Sequence, residues 1–344
     1  MLLRRCRSSR RLTSVAALAL AVTAAASSTA NAAESGRRPL RTDAAPPAPR
    51  SIVHASVPTA TTVIAVRGRD SALWIKRSDE TSFRRLGGRL LDAPDVVSYN
   101  GVQYYIGVGA DRAIWVRTDV NAWTRMTAAI CRQPGAAVDT NEASAGRLAV
   151  ACMGADRALW YVETALPADG SNPVTGPMTR QGGVLSAGPA VYYGFVESPE
   201  PPIEGLLSFM VPDANTFVRN GHRYNVYIRT SGDVAHHNVP WLGYCSGQPV
   251  AMSIGDPFDP SFPGRFGCQD AGNHSLRYQG FAESGTDGRI VGRVGMTIGP
   301  TTFYAEGLDG RVWAKTPGVP PGAFRPVGGL VLGGAAATNV TVAS

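Results

Sequence analysis

Gly68-Arg69-Asp70-Ser71-Ala72-Leu73-Trp74 returns as Gly109-Ala110-Asp111-Arg112-Ala113-Ile114-Trp115 and as Gly154-Ala155-Asp156-Arg157-Ala158-Leu159-Trp160. It returns once more as Gly307-Leu308-Asp309-Gly310-Arg311-Val312-Trp313. The shared pattern is G-x-D-x-x-[LIV]-W, present four times. A pattern repeated at constant internal spacing identifies an architecture built of like units. Each copy follows a short run of β-formers, such as Val63-Ile64-Ala65-Val66 or Tyr104-Tyr105-Ile106-Gly107-Val108, and precedes a second apolar run. Strand, Gly/Asp turn, strand is a hairpin. The Asp belongs in the turn, where its carboxylate accepts backbone N–H groups. The Trp and its aliphatic neighbour face opposite sides of the second strand.

A second landmark trails the first. Phe83-Arg84-Arg85-Leu86-Gly87-Gly88 matches Phe324-Arg325-Pro326-Val327-Gly328-Gly329, and Arg180-Gln181-Gly182-Gly183 is a weaker copy. Beyond the Gly pair comes another strand, as at Ala93-Pro94-Asp95-Val96-Val97. One unit is therefore about four short strands. The Asp-to-Asp intervals are 41 and 45 residues, then 153. Two degenerate units are expected in the long gap. One is Pro212-Asp213-Ala214-Asn215-Thr216-Phe217, with Phe for Trp, and the other is Asn273-His274-Ser275-Leu276. A period of 40–45 residues with four strands per unit is that of a propeller blade. The expected fold is an all-β β-propeller of six four-stranded blades, with seven as the alternative count. Residues 335–344 are expected to close the ring beside the first strands, which removes exposed sheet edges.

Composition agrees. Charged residues make up 17% of the 344, and there are 39 Gly and 25 Pro. That is turn-rich and poor in charged helical faces, against coiled coils and helical solenoids. With 44% hydrophobic residues the chain can bury a real core, which excludes disorder. The formal charge of +7 shrinks to about +2 once Arg4, Arg5, Arg7, Arg10 and Arg11 are set aside as part of a leader. No nucleic-acid partner is implied at that level.

Residues 1–32 have a basic start, an Ala-rich apolar stretch and an Ala30-Asn31-Ala32 cleavage site, as in a signal peptide. No later apolar run reaches the 18 residues of a membrane span. The expected location is secreted, extracellular, without membrane insertion. Residues 33–51 read as a Pro/Ala-rich linker, and 52–344 as the propeller. Four cysteines follow the leader, and three pairings are open in principle. The repeats choose among them. Cys131 and Cys245 each precede a Pro-containing strand entry, and Cys152 and Cys268 each lie just before the next turn. The expected disulfides are Cys131–Cys152 and Cys245–Cys268.

The G-x-D-x-x-L-W turn, the Leu-Gly-Gly and the Pro-x-Val strand together resemble the repeat of the PLL-type (Photorhabdus-lectin-like) propeller lectins. The resemblance covers most of residues 52–340 and is weakest over 192–272. It implies a β-propeller, and it implies fucosylated or O-methylated sugars bound between blades. Trp74, Trp115, Trp160 and Trp313 are then candidates to stack on sugar rings, with Asp70, Asp111, Asp156 and Asp309 beside them. The plainer reading is inter-blade packing for the indoles and turn capping for the carboxylates. Trp123 and Trp241 fall where the Phe83 and Phe324 aromatics fall and read as packing. His54, His222, His236, His237 and His274 show no metal-ligand spacing, so no metal and no cofactor is expected. No nucleophile elbow, P-loop or dinucleotide fingerprint stands where a strand-to-helix turn could use it. The expected function is non-catalytic, lectin-like carbohydrate binding with glycans as partners. The alternatives are a hydrolase or lyase with its site in 192–272, or a protein-binding scaffold.

Overall fold

The computed structural model describes residues 61–317 and 324–340, apart from 140–145, 175, 197–202, 220–221, 232–236, 239–243, 253–264, 280–284 and 298–300. The leader, the linker, Trp241, His54 and His236 lie outside the described residues, as do the ring-closing residues 341–344. Of His222 and His237 only the backbone is described.

The described chain is all strand and turn. Its strands pair as antiparallel runs of four. Sheet II is Asp95–Tyr99, Val102–Val108, Ile114–Thr118 and Thr124–Arg125. Sheet III is Cys131–Asp139, Arg147–Gly154, Leu159–Ala165 and Thr179–Gly182. Sheet IV is Ala190–Val196, Ile203–Arg219, His222–Thr230 and His237–Asn238. The remaining strands form one connected network that resolves by pairing into three more runs. Sheet V is Val250–Met252, Arg265–Gln269, Ser275–Gln279 and the first part of the long strand Gly285–Thr297. The second part of that strand opens sheet VI, followed by Thr302–Gly307, Val312–Lys315 and Arg325–Gly328. Sheet I joins the two ends of the described chain. Its inner strand is Val331–Val340, paired from Ala335↔Val66 to Val340↔Thr61 with Thr61–Gly68, and Leu73–Arg77 and Arg84–Gly87 follow. The expected pairing of residues 335–340 with the first strands is thus present.

The cores lie between sheets, which is why the second strands are apolar on both faces. Val63, Ala65, Leu73 and Ile75 of sheet I pack on Val96 and Tyr105 of sheet II. Equivalent clusters join II to III, III to IV, IV to V and V to VI, and a last one joins Tyr304 and Val312 of sheet VI to Ile64 and Val66 of sheet I. The aliphatic position of the repeated turn anchors each sheet. Leu73, Ile114, Leu159, Val226, Leu276 and Val312 are all 0% exposed. Burying such a side chain contributes about 1.5–3 kcal/mol.

One register links the sheets. The residue after the turn Asp is left-handed at Ser71, Arg112, Arg157 and Gly310, with φ from 61° to 73°. Its carbonyl accepts an N–H from the strand entry of the next sheet in chain order: Leu90, Cys131, Leu185 and Val331 respectively. His274, φ 60°, does the same for Ile290. This confirms the degenerate unit at Asn273. There Asn273 Oδ1 accepts the Ser275 N–H as Asp70 accepts that of Ala72, and Arg277 stands at the Trp position.

The other degenerate unit has a different phase from the one expected. Asp213 bridges Leu185 as Gly109 bridges Leu90, so it occupies the place of the repeat's Gly, not of its Asp. The strand then runs on to Arg219 past a bulge, and Tyr227, opposite Val211, holds the Trp position. The physical reason is contact. At Gly68 a Cβ would stand 2.5 Å from the Trp74 ring, so the indole demands glycine there. In sheets IV and V Tyr227 and Arg277 stand at the Trp position, the demand lapses, and Asp213 and Asp270 take the place of the glycine.

Both disulfides form as expected, Cys131–Cys152 and Cys245–Cys268, each tying a strand entry to the second strand of its own sheet. The inner strands of all six sheets line a central cavity of about 410 Å³. Two side chains bind their starts together. Arg293 pairs with Asp95 and donates to the carbonyls of Pro94 and Pro134. Gln248 donates to the carbonyls of Pro134 and Pro189.

Candidate functional site

The repeated turn builds a small polar device at each sheet that keeps it. Asp70 Oδ1 accepts the Ala72 N–H at 3.1 Å and the Trp74 Nε1–H at 2.9 Å. Asp111 and Asp156 hold Trp115 and Trp160 in the same way, at 2.9 and 3.0 Å. Asp309 holds Trp313 at 3.0 Å and accepts the Arg311 N–H. In sheets I to III the second oxygen takes an arginine from the outer strand: Arg85 at 2.8 Å, Arg125 at 3.2 Å and Arg180 at 2.7 Å. In sheet VI Pro326 occupies the arginine's place, opposite Trp313 as Arg85 is opposite Trp74.

These contacts favour the charged carboxylate. Arg85, then the Trp74 N–H, holds Asp70 at about 2, below its ordinary 3.8. Arg180 comes first for Asp156, also at about 2. Asp111 and Asp309 are lowered mainly by their indole partners. A depressed carboxylate pKa gives stability that is complete above the unfolded value and lost as pH falls through the folded one. Thermal midpoints should therefore hold down to about pH 4 and drop between pH 4 and 2. An Asp70→Asn/Asp156→Asn variant should drop less across that window. An equal drop in both proteins would show that other groups set the acid limit.

With its edge fixed by the Asp, each indole presents a half-buried ring face. Two of these faces open into cavities between neighbouring sheets. The cavity between sheets VI and I, about 730 Å³, is lined by Trp74 and Asp70 with Phe83, Arg69, Arg311 and the Gly328-Gly329 pair. The cavity between sheets I and II, about 350 Å³, repeats the arrangement with Trp115, Asp111, Trp123, Gly88 and Arg89. Trp160 keeps its Asp156 bond but packs against the core between sheets II and III. Trp313 keeps its Asp309 bond in sheet VI. The four Trp/Asp pairs thus stay on four separate sheets, and the two clefts hold two of them.

The second aromatic of each cleft does more than the packing that its sequence position implies. Phe83 and Trp123 do pack, each against the glycine that ends the previous sheet. A Cβ on Gly88 would lie 2.4 Å from Trp123 Nε1, and one on Gly329 would lie 3.0 Å from Phe83. This is the reason for the second glycine of the Gly-Gly landmark. Yet both rings also line the clefts, and Trp123 Nε1 is buried without a hydrogen-bond partner. Behind them stands a cation. Lys76 lies 6.0 Å over Phe83 and Arg117 lies 5.8 Å over Trp123. Each also donates to a carbonyl of the previous sheet, Val327 and Leu86 respectively. Lys315 lies over Phe324 at 6.0 Å. The spacing W-x-[KR] at Trp74, Trp115 and Trp313 carries this signal in the sequence.

Among the described residues no cluster of three His, Cys, Asp or Glu side chains has metal-site geometry. No described helix is long and apolar enough to cross a membrane. In the divergent 192–272 stretch, Asp213 and Asp270 are the acids whose side chains are described, and each caps its own turn. Asp270 is also held by Arg277, and Asp213 lies 3.8 Å from Arg229.

No protein-family model and no curated protein matches the chain. Solved structures do. A triple arginine-to-alanine mutant of AofleA from Arthrobotrys oligospora is 12% identical, over 83% of this chain and 87% of that one, with a TM-score of 0.50. The lectin of Aleuria aurantia, described as a six-bladed β-propeller with a novel fucose recognition mode, is 13% identical over 73% of this chain and 78% of that one, with a TM-score of 0.42. Apo AztD from Citrobacter koseri is 9% identical over 83% of this chain and 99% of that one, with a TM-score of 0.35. At such identities the likeness concerns the fold alone, and the two with TM-scores below 0.5 add no argument of their own.

Proposed function

We propose that the protein is a secreted, six-bladed β-propeller that binds carbohydrate, with residues 1–32 as its leader, 33–51 as a linker and 52–344 as the propeller. The observation that carries the function is the pair of equivalent clefts, each walled by two aromatic rings. In each, the N–H of the turn indole, Trp74 or Trp115, is already spent on an Asp, so that ring offers its face. A flat apolar face suits the C–H side of a pyranose, and polar groups at the rim suit its hydroxyls. Trp74 with Phe83, and Trp115 with Trp123, are the proposed stacking pairs. Asp70 and Asp111 orient them. Single sites of this kind are weak, and two on one rigid ring raise the effective affinity for a repeating glycan.

The test is a glycan array probed with the purified, disulfide-intact protein and with a Trp74→Ala/Trp115→Ala variant. Removing a buried aromatic anchor costs about 2 kcal/mol or more of binding, roughly 30-fold in affinity. Wild-type binding to a sugar class, lost in the variant while its unfolding transition remains cooperative, is the expected result. Binding that survives the double substitution, or a folded wild type that binds no glycan, would overturn the proposal.

A further inference from the structure

The four regular turns differ from one another at few positions, and two of the differences meet in one cleft. The second position of the repeat is Ala110, Ala155 and Leu308, but Arg69 in the first copy. The fifth is Ala72, Ala113 and Ala158, each 0% exposed, but Arg311 in the last copy. Arg69 belongs to sheet I's turn and Arg311 to sheet VI's, so they are far apart in sequence. Both line the cavity between sheets VI and I. Arg69 reaches across it: its Nη2 would stand 3.4 Å from a Cβ on Gly310.

Neither guanidinium makes a side-chain hydrogen bond or ion pair among the described residues. The acids around them accept other groups: Asp70 is held by Arg85, Trp74 and the Ala72 N–H, Glu306, which attracts Arg69, by the Gly333 and Gly334 N–H groups, and one oxygen of Asp309, which attracts Arg311, by Trp313 and the Arg311 N–H. Two exposed cations thus stand over an aromatic cleft that has donors in surplus. An arginine fork matches a carboxylate or sulfate with two parallel N–H bonds. The smaller I/II cleft has Ala110 at the Arg69 position and one arginine, Arg89.

Building on the carbohydrate reading, we infer that the VI/I cleft selects acidic saccharides, with the sugar ring on Trp74 and Phe83 and its carboxylate or sulfate on Arg69 and Arg311. A cavity of about 730 Å³ has room for more than one ring. Exposed charges also make such binding salt-sensitive.

The test is titration calorimetry with a galacturonic acid trisaccharide and a sulfated disaccharide, each against its carboxyl-reduced or desulfated counterpart, at low and physiological salt. The expected result is at least a tenfold preference for one acidic form, weakened by salt. Arg69→Ala/Arg311→Ala should bring the affinity for the acidic form down to that for its neutral counterpart. Both residues are exposed, so the fold should be unaffected. Arg89→Ala should keep the preference. Equal affinity for acidic and neutral forms would overturn this inference and leave the carbohydrate reading standing. Preference lost in Arg89→Ala but kept in the double variant would overturn the choice of cleft. No binding of any saccharide, with poly-glutamate captured through Arg69 and Arg311, would overturn both readings in favour of an acidic protein partner.

Discussion

Asp95→Asn should lower the unfolding free energy by about 3–5 kcal/mol, measured by denaturant unfolding. The side chains of Arg293 and Asp95 are 5% and 9% exposed. Without the carboxylate, a buried guanidinium is left with only the carbonyls of Pro94 and Pro134. An uncompensated buried cation is among the costliest defects a core can carry. Arg293→Met should cost less. Asp95 would still accept the N–H groups of Val96 and Ala136. The double variant should therefore be more stable than Asp95→Asn alone, because it removes the stranded charge. The position magnifies the effect. Arg293 sits in the inner strand of sheet VI, bridges Gly334 of sheet I and bonds the carbonyls of Pro94, just before the first strand of sheet II, and Pro134 in that of sheet III. A loss below about 1 kcal/mol, or strict additivity of the two substitutions, would show that the pair does not hold the inner strands together.

Replacing Cys131 and Cys152 with Ala should lower stability by about 3 kcal/mol. The partners are separated by 21 residues, and the bond denies the unfolded chain that much freedom. Cys245 and Cys268, separated by 23, should contribute about as much. The two bonds sit in different cores, one between sheets II and III and one between IV and V. Their losses should therefore add. Unfolding curves of the two double variants and the quadruple variant test this. A quadruple loss well short of the sum would place the stabilisation in the folded cores instead.

The turns were readable because every group that makes them is local. Asp70, Ala72 and Trp74 lie within five residues, so the pattern of residue types is itself the hydrogen-bond pattern. The same locality placed the cysteines. It failed at Asp213, where residue identity pointed to the repeat's Asp and the pairing put it in the place of the Gly. An extended hairpin displaces the turn there, and the spacing of side chains along one strand carries no record of that. Arg85, Arg125 and Arg180 were visible beside their landmarks, but their task of holding the turn Asp appears only when the outer strand folds back against it.

By itself the sequence determined the repeating four-stranded unit and the two disulfides, since these follow from periods and spacings within single units. Only the tertiary structure decided which indoles face a cleft and what stands opposite them. Lys76 meets Val327 across 251 residues, Arg293 meets Pro94 across 199, and Arg69 and Arg311 line one cleft only because the last described sheet packs on the first. Contacts made by closing a ring lie at separations where no local periodicity operates, so they come into being only when the sheets pack.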